Sequence, residues 1–215
     1  MLEEDTGSGV STKNADWNEG VSDDQAKDLN RGYLASTSYS DAQAGRILVA
    51  LKKEGMEEST IVIIWGDHGY HLTDHGLWRK NTIYHVANRI PLLMRVPEMV
   101  RGKVSDAIVE SLDIYPTILE LAGIQRSDLR LHGRSLVPLL DNPKAEWPYP
   151  AFISGGTYYG IVTEQHRFSL SDKHPTKLFD LKADPSEWRN LAPASEYREL
   201  VTELTRQVKQ AWHPR

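Results

Sequence analysis

Residues 60–65, Thr-Ile-Val-Ile-Ile-Trp, contain four consecutive β-branched apolar residues and no polar alternation. A run of this kind suits a strand covered on both faces, as in the parallel sheet of an α/β protein. A helix is expected ahead of it. Ser22 stands as an N-cap before Asp23, Asp24 and Gln25, acids suited to the positive end of a helix dipole. Leu29, Tyr33, Ile47, Leu48 and Leu51 then recur at helical spacings up to Gly55, as two helices or one bent one. A second strand is expected at 90–96, closed by Pro97, and an amphipathic helix at 106–122 with Pro116 inside it or at a boundary, ended by Gly123. Helix, strand, long loop, strand, helix is an α/β order.

From Trp147-Pro148-Tyr149-Pro150 onward the texture changes. Short strands at 151–154, 158–163, 167–170 and 177–181, separated by Gly-, Asp- and Pro-bearing turns, predict a small antiparallel meander. A helix over 195–212 carries Leu200, Leu204 and Val208 as an apolar stripe that docks on that sheet. Trp147, Trp188 and Trp212 read as packing residues of the same region.

The 215 residues are 40% hydrophobic and 26% charged, enough for a proper core and too apolar for disorder throughout. Net charge is −5, and residues 1–30 hold eight acids against two lysines. No basic stripe appears, so a nucleic-acid partner is not expected. No apolar run approaches the ~18 residues of a membrane span, and the start shows neither the basic nor the apolar region of a signal peptide. Cysteine is absent, which removes disulfides, thiolate metal sites and a cysteine nucleophile together.

The loop after the first strand carries the chemistry. Gly66-Asp67-His68-Gly69 follows Trp65 directly, where α/β sheets gather ligands beyond their strand ends. An aspartate oxygen and an imidazole are both divalent-cation donors, and His71, His75 and Lys80 follow in the same loop. Two readings stand at this point: a cation and anion site, or a capped turn with solvated histidines and a surface lysine. His71-Leu72-Thr73-Asp74-His75 has zincin spacing, but leucine occupies the place of the catalytic glutamate, so metalloprotease chemistry is excluded.

The span from Ile61 through Gly66-Asp67-His68-Gly69-Tyr70-His71-Leu72 and Gly76-Leu77-Trp78-Arg79-Lys80 to Arg89-Ile90-Pro91-Leu92 closely resembles the sulfatase family, in particular its iduronate-2-sulfatase and choline-sulfatase branch. Asp113-Ile114-Tyr115-Pro116-Thr117 and His132-Gly133-Arg134-Ser135-Leu136 resemble its downstream signatures. Leu178-Phe179-Asp180-Leu181 with Asp184-Pro185, Glu187 and Asn190-Leu191 resembles its C-terminal sheet and turn. The resemblance implies a partial alkaline-phosphatase-like α/β sandwich followed by a small antiparallel sheet with a C-terminal helix. The organisation expected from it is a polar leader at 1–21, the C-terminal part of the α/β core at 22–146, and a small α+β subdomain at 147–215.

It also implies sulfate-ester hydrolysis with one divalent cation, usually calcium. Asp67 and His68 would be the later pair of its ligands, and Lys80 the lysine on the sulfate group. Trp78 would line a sugar or choline pocket, and His85 would vary that pocket or sit as a solvated helix residue. Arg89 would pair with a core carboxylate. The substrate expected is a sulfated sugar or small sulfate ester. Full-length relatives are periplasmic, secreted or lysosomal; the chain itself gives no compartment.

One departure limits this picture. The family makes a formylglycine nucleophile from the first residue of Cys/Ser-x-Pro-x-Arg. This chain has no cysteine, and none of its eleven prolines has a serine two places before it. The paired aspartates of the other half of the cation site also have no counterpart. The expectation is therefore the C-terminal portion of a sulfatase, inactive alone, leaning on a missing N-terminal half or on self-association. Two other readings remain: a phosphonate or phosphodiester hydrolase of the same superfamily, and a non-catalytic anion- or metal-binding module.

Overall fold

The computed structural model describes residues 21–99, 101–125, 128–155 and 157–212. All of the polar leader except Val21 lies outside the described residues, as does Gly156 of the expected turn. The chain divides into two compact units, one ending at Glu98 and the other starting at Met99, so position 147 falls inside the second.

In the first unit, α1 (Asp23–Lys53) is a single 31-residue helix. Ser22 caps it through a capping box: its Oγ accepts the Gln25 N–H at 3.3 Å, while its own N–H donates to Gln25 Oε1 at 2.9 Å. No α1 side chain is fully buried, although Tyr33 packs on Tyr70 with ring centroids 5.3 Å apart. Strand β1 (Val62–Trp65) pairs antiparallel with β4 (Leu92–Arg95), from Val62 opposite Arg95 to Trp65 opposite Leu92. This corrects the expectation of a strand covered on both faces. Among the described residues β1 has one strand neighbour, and Ile64 and Trp65 are exposed. A β-branched run signals a strand but carries no information about the direction or number of its partners.

The polar stretch between these strands is ordered by three small elements. Strands β2 (His71–Leu72) and β3 (Trp78–Arg79) form a short hairpin, and α2 (His85–Asn88) is one helical turn.

In the second unit, the helix expected from 106 begins later. A 3₁₀ turn at Ser111–Asp113 leads into α3 (Ile114–Leu121). Asp113 is the cause: its Oδ2 accepts the Glu110 N–H at 2.8 Å and its Oδ1 the Arg134 N–H at 2.7 Å. This fastens the chain ahead of the helix in another shape. Pro116 is the third residue of α3, where the missing N–H had no helical partner to lose. Gly123 ends the helix at φ +66°. A short helix, α4 (Val137–Asp141), follows.

The meander is present in sequence order. Strands β5 (Ala151–Gly155), β6 (Tyr158–Val162), β7 (His166–Ser171) and β8 (Lys177–Asp180) pair antiparallel with their neighbours. Ile161, Phe168 and Leu178 align across them and are fully buried. Helix α5 (Arg198–Trp212) covers this face with Leu204 and Val208, as its stripe requires. Each such buried side chain contributes about 2 kcal/mol. Trp212 packs on Tyr159, and Trp147 donates its Nε1–H to the Ile108 carbonyl at 2.9 Å. Trp188, read as a packing residue of this region, is 70% exposed.

Candidate active site

The loop 66–69 leaves β1 and is held by backbone. The Gly66 N–H donates to the Pro91 carbonyl at 3.1 Å, and the Gly69 N–H to the Ala87 carbonyl of α2 at 2.8 Å. A Cβ at Gly69 would fall on the Val86 carbonyl oxygen, so only glycine permits this approach. Between these two fixed points Asp67 and His68 have little freedom. The His68 N–H donates to Asp67 Oδ1 at 3.0 Å, and the His68 Nδ1–H to the Gly69 carbonyl at 2.7 Å.

That second bond sets the tautomer and leaves the His68 lone pair on Nε2. Two groups approach this nitrogen: Lys80 Nζ at 2.5 Å and Asp67 Oδ2 at 3.2 Å. An ammonium has only protons to offer, so Lys80 is the donor to the lone pair. The structure thus brings the side chains of Asp67, His68 and Lys80 together from two ends of one loop. The Asp67 side chain is 85% exposed and that of His68 32%, so the cluster faces outward.

Lys80 follows the β2–β3 hairpin. Thr73, His75 and Arg79 there have φ values of 93°, 57° and 77°, a conformation that non-glycine residues seldom adopt. What holds it is a pair of buried or half-buried rings, His71 and His75, which the sequence offered only as further cation donors. His71 is 0% exposed and makes two hydrogen bonds, Nδ1–H to the Asp74 carbonyl at 3.1 Å and Nε2 with the Thr82 hydroxyl at 2.7 Å. His75 stacks on Tyr84 at 4.0 Å between centroids. Asn88 Nδ2 donates to the carbonyls of Thr82 at 2.9 Å and Tyr84 at 2.8 Å. The signal available in the sequence was the density of His71, His75, Thr82, Tyr84 and Asn88 around Lys80.

Trp78 lies half-buried on β3, opposite Leu72, and His85 half-buried at the start of α2. Arg89 is exposed just past α2, which corrects its placement against a core carboxylate.

The motifs of the second unit serve architecture. Thr117 Oγ1 donates to the Asp113 carbonyl at 2.5 Å and accepts the Leu136 N–H at 2.8 Å. Asp113 and Thr117 thereby take up the backbone of 134–136, while Gly133 fits against the Leu112 carbonyl with no room for a Cβ. The Arg134 guanidinium lies 4.0 Å over the Tyr149 ring. Glu110 accepts the Phe152 N–H, and burial pushes its carboxyl above the usual range, with Asp113 adding to the effect. Glu187 pairs with Arg167 at 2.8 Å, both side chains 2% exposed; burial lowers the Arg167 pKa and Glu187 opposes this. Asn190 Oδ1 accepts the N–H groups of Leu178 and Ala192, tying the turn to β8.

Two family models match. "Sulfatase" covers residues 6–124, and "N-sulphoglucosamine sulphohydrolase, C-terminal" covers residues 73–213. The chain belongs to the sulfatase family. A sulfatase of Formosa agariphila is 32% identical over 83% of this chain and 35% of its own length. An N-acetylglucosamine-6-O-sulfatase of Bacteroides thetaiotaomicron is 34% identical over 81% and 34%, and a choline-sulfatase of Rhizobium meliloti 31% identical over 80% and 35%. The chain therefore spans about a third of the length of these curated relatives. Among solved structures, an enzyme in complex with its substrate D-glucosamine-2-N,6-O-disulfate superposes with a TM-score of 0.75 at 32% identity, over 83% of this chain and 39% of the other. The phosphonate monoester hydrolase of Silicibacter pomeroyi superposes with 0.69 at 27% identity, over 78% and 37%. The fold is a partial alkaline-phosphatase-like α/β sandwich, ending in a small antiparallel sheet with a C-terminal helix.

A divalent cation fits this sulfatase loop. A carboxylate oxygen and the imidazole nitrogen whose lone pair accepts from Lys80 stand 3.2 Å apart on one side of it. Among the described residues no third acidic or histidine side chain joins them.

Proposed function

We propose that this chain forms one wall of a site that hydrolyses a sulfate ester, with Asp67 and His68 as ligands of a calcium ion and Lys80 on the sulfate. The observation that carries the reading is the meeting of Asp67 Oδ2, His68 Nε2 and Lys80 Nζ in a chain of the sulfatase family. When bound, the cation draws charge from the sulfate oxygens and eases attack on sulfur. Asp67 contributes a hard oxygen and His68 its Nε2 lone pair. The Lys80 ammonium stabilises the negative charge that grows on the sulfate and the departing oxygen. One lone pair cannot serve both a cation and Lys80, so filling the ligand pair hands the ammonium to the anion. Trp78 and His85 border the pocket for the alcohol part of the ester. A sulfated sugar is the substrate class, by analogy with the neighbour that holds a glucosamine disulfate.

The 215 residues contain no cysteine and no serine two places before a proline, so the formylglycine comes from outside them. The purified chain with calcium and an aryl sulfate is expected to show no turnover. Calorimetry is expected to show weak calcium binding that Asp67→Ala and His68→Ala abolish. Turnover by the lone chain, or calcium heat unchanged in both variants, overturns the reading. The phosphonate hydrolase likeness supports a second reading, because a tetrahedral phosphonate offers the same oxygens to a cation and a lysine. Competition decides: displacement of bound sulfate by a phenylphosphonate, and not by an aryl sulfate, favours it. Tight calcium and sulfate binding by the lone chain favours a non-catalytic module.

A further inference from the structure

We propose that His71 and Thr82 are positioning residues for Lys80. The inference rests on the reading of Lys80 as the sulfate-contacting lysine and adds the device that aims it. Lysine has four rotatable bonds and a strongly hydrated ammonium, so nothing in the side chain itself keeps it against His68. The backbone must do so, and the hairpin before Lys80 has left-handed residues up to Arg79. The fastening lies on the other side. The Thr82 N–H donates to the Lys80 carbonyl at 2.7 Å, closing a tight turn whose middle residue is Asn81.

Thr82 is pinned in turn. Its hydroxyl meets Nε2 of the fully buried His71 at 2.7 Å and accepts the Tyr84 N–H at 3.3 Å. With Nδ1–H given to the Asp74 carbonyl, His71 Nε2 holds a lone pair, so the threonine hydroxyl donates to it and keeps an oxygen lone pair for Tyr84. The chain of contacts is continuous: Asp74 carbonyl, His71, Thr82, Lys80, His68. Thr82 donates at both ends, through its hydroxyl to His71 and its N–H to the Lys80 carbonyl, while His71 and Lys80 each accept from it and donate onward. His71 thus couples the start of the hairpin to the residue that sets the Lys80 backbone, eleven positions later.

The test reads the lysine itself. Trace acetylation in the presence of a chelator, followed by mass spectrometry, gives Lys80 labelling relative to Lys52, which is exposed in the last turn of α1. Labelling of the buried Lys177 reports whether the fold is intact. His68→Ala is the control for the site and is expected to raise Lys80 labelling about fivefold, the loss of one hydrogen bond. Thr82→Val keeps the shape and removes the hydroxyl; it is expected to raise labelling by a similar factor, with Lys177 unchanged. Thr82→Ser restores the hydroxyl and is expected to match the wild type. Wild-type labelling in Thr82→Val beside a raised His68→Ala overturns the positioning role and leaves the site reading standing. Unchanged labelling in His68→Ala overturns the Lys80–His68 contact, and the proposal falls with it. If Thr82→Val fails to fold, His71→Gln, whose amide reaches the Nε2 position, is set against His71→Asn, which reaches only Nδ1. Protection kept in Gln and lost in Asn supports the role, and equal labelling overturns it.

Discussion

Gly69 holds the loop in place more than either side chain beside it. Its N–H reaches Ala87, and its missing Cβ is what lets the loop lie on α2. Gly69→Ala forces the two backbones apart and is expected to cost about 1–3 kcal/mol, the range for overpacking against a rigid neighbour. Gly32→Ala is the contrast. It lies within α1 with open space around it, so alanine is expected to stabilise by up to about 1 kcal/mol. Thermal denaturation of both variants checks the pair, and a Gly69→Ala protein as stable as wild type contradicts the first half. At this scale Asp67, His68 and Lys80 were legible as residue types at a strand end. Thr82 and Asn88 were not, and His71 was read as a cation donor rather than a support, because their partners are backbone groups or one another. A hydroxyl that holds a turn leaves no spacing rule to read.

Elements were legible where punctuation was strong. The Ser22 and Gln25 capping box announced α1, and the turn residues at 164–166 and 172–175 separated the strands of the meander. The start of α3 was not legible, because the apolar periodicity runs back past Ser111 while Asp113 ties the preceding residues to 110 and 134. Partner choice for β1 was hidden for a different reason: four β-branched residues suit either strand direction. The C-terminal sheet gives a test at this scale. Arg167 on β7 and Glu187 in the turn after β8 are paired with almost no solvent. Glu187→Gln leaves a buried guanidinium without its counter-charge and is expected to cost about 3 kcal/mol. Arg167→Met with Glu187→Leu removes both charges and is expected to recover most of that loss. Urea unfolding of the three proteins decides; a double variant less stable than Glu187→Gln contradicts the account.

The whole molecule carries an unequal load. The meander and α5 enclose a closed apolar cluster, whereas α1 has no fully buried side chain and the β1–β4 pair shows Ile64 and Leu93 at 40% and 58% exposure. These two residues face each other across the pair, and each strand keeps an outer edge without a strand neighbour among the described residues. An apolar ribbon with open edges favours pairing with another chain. The isolated chain is therefore expected to self-associate, with sedimentation showing mass that rises with concentration. Ile64→Lys with Leu93→Glu is expected to shift it toward the monomer, and a wild-type monomer at every concentration contradicts this. The interlock in the second unit has a consequence for recombination between relatives. Asp113 and Thr117 accept the N–H groups of Arg134 and Leu136, and Gly133 fits the gap they leave. A crossover between 117 and 133 is expected to separate lock from key and strand buried acceptors, so residues 110–136 are expected to tolerate exchange only as a single cassette.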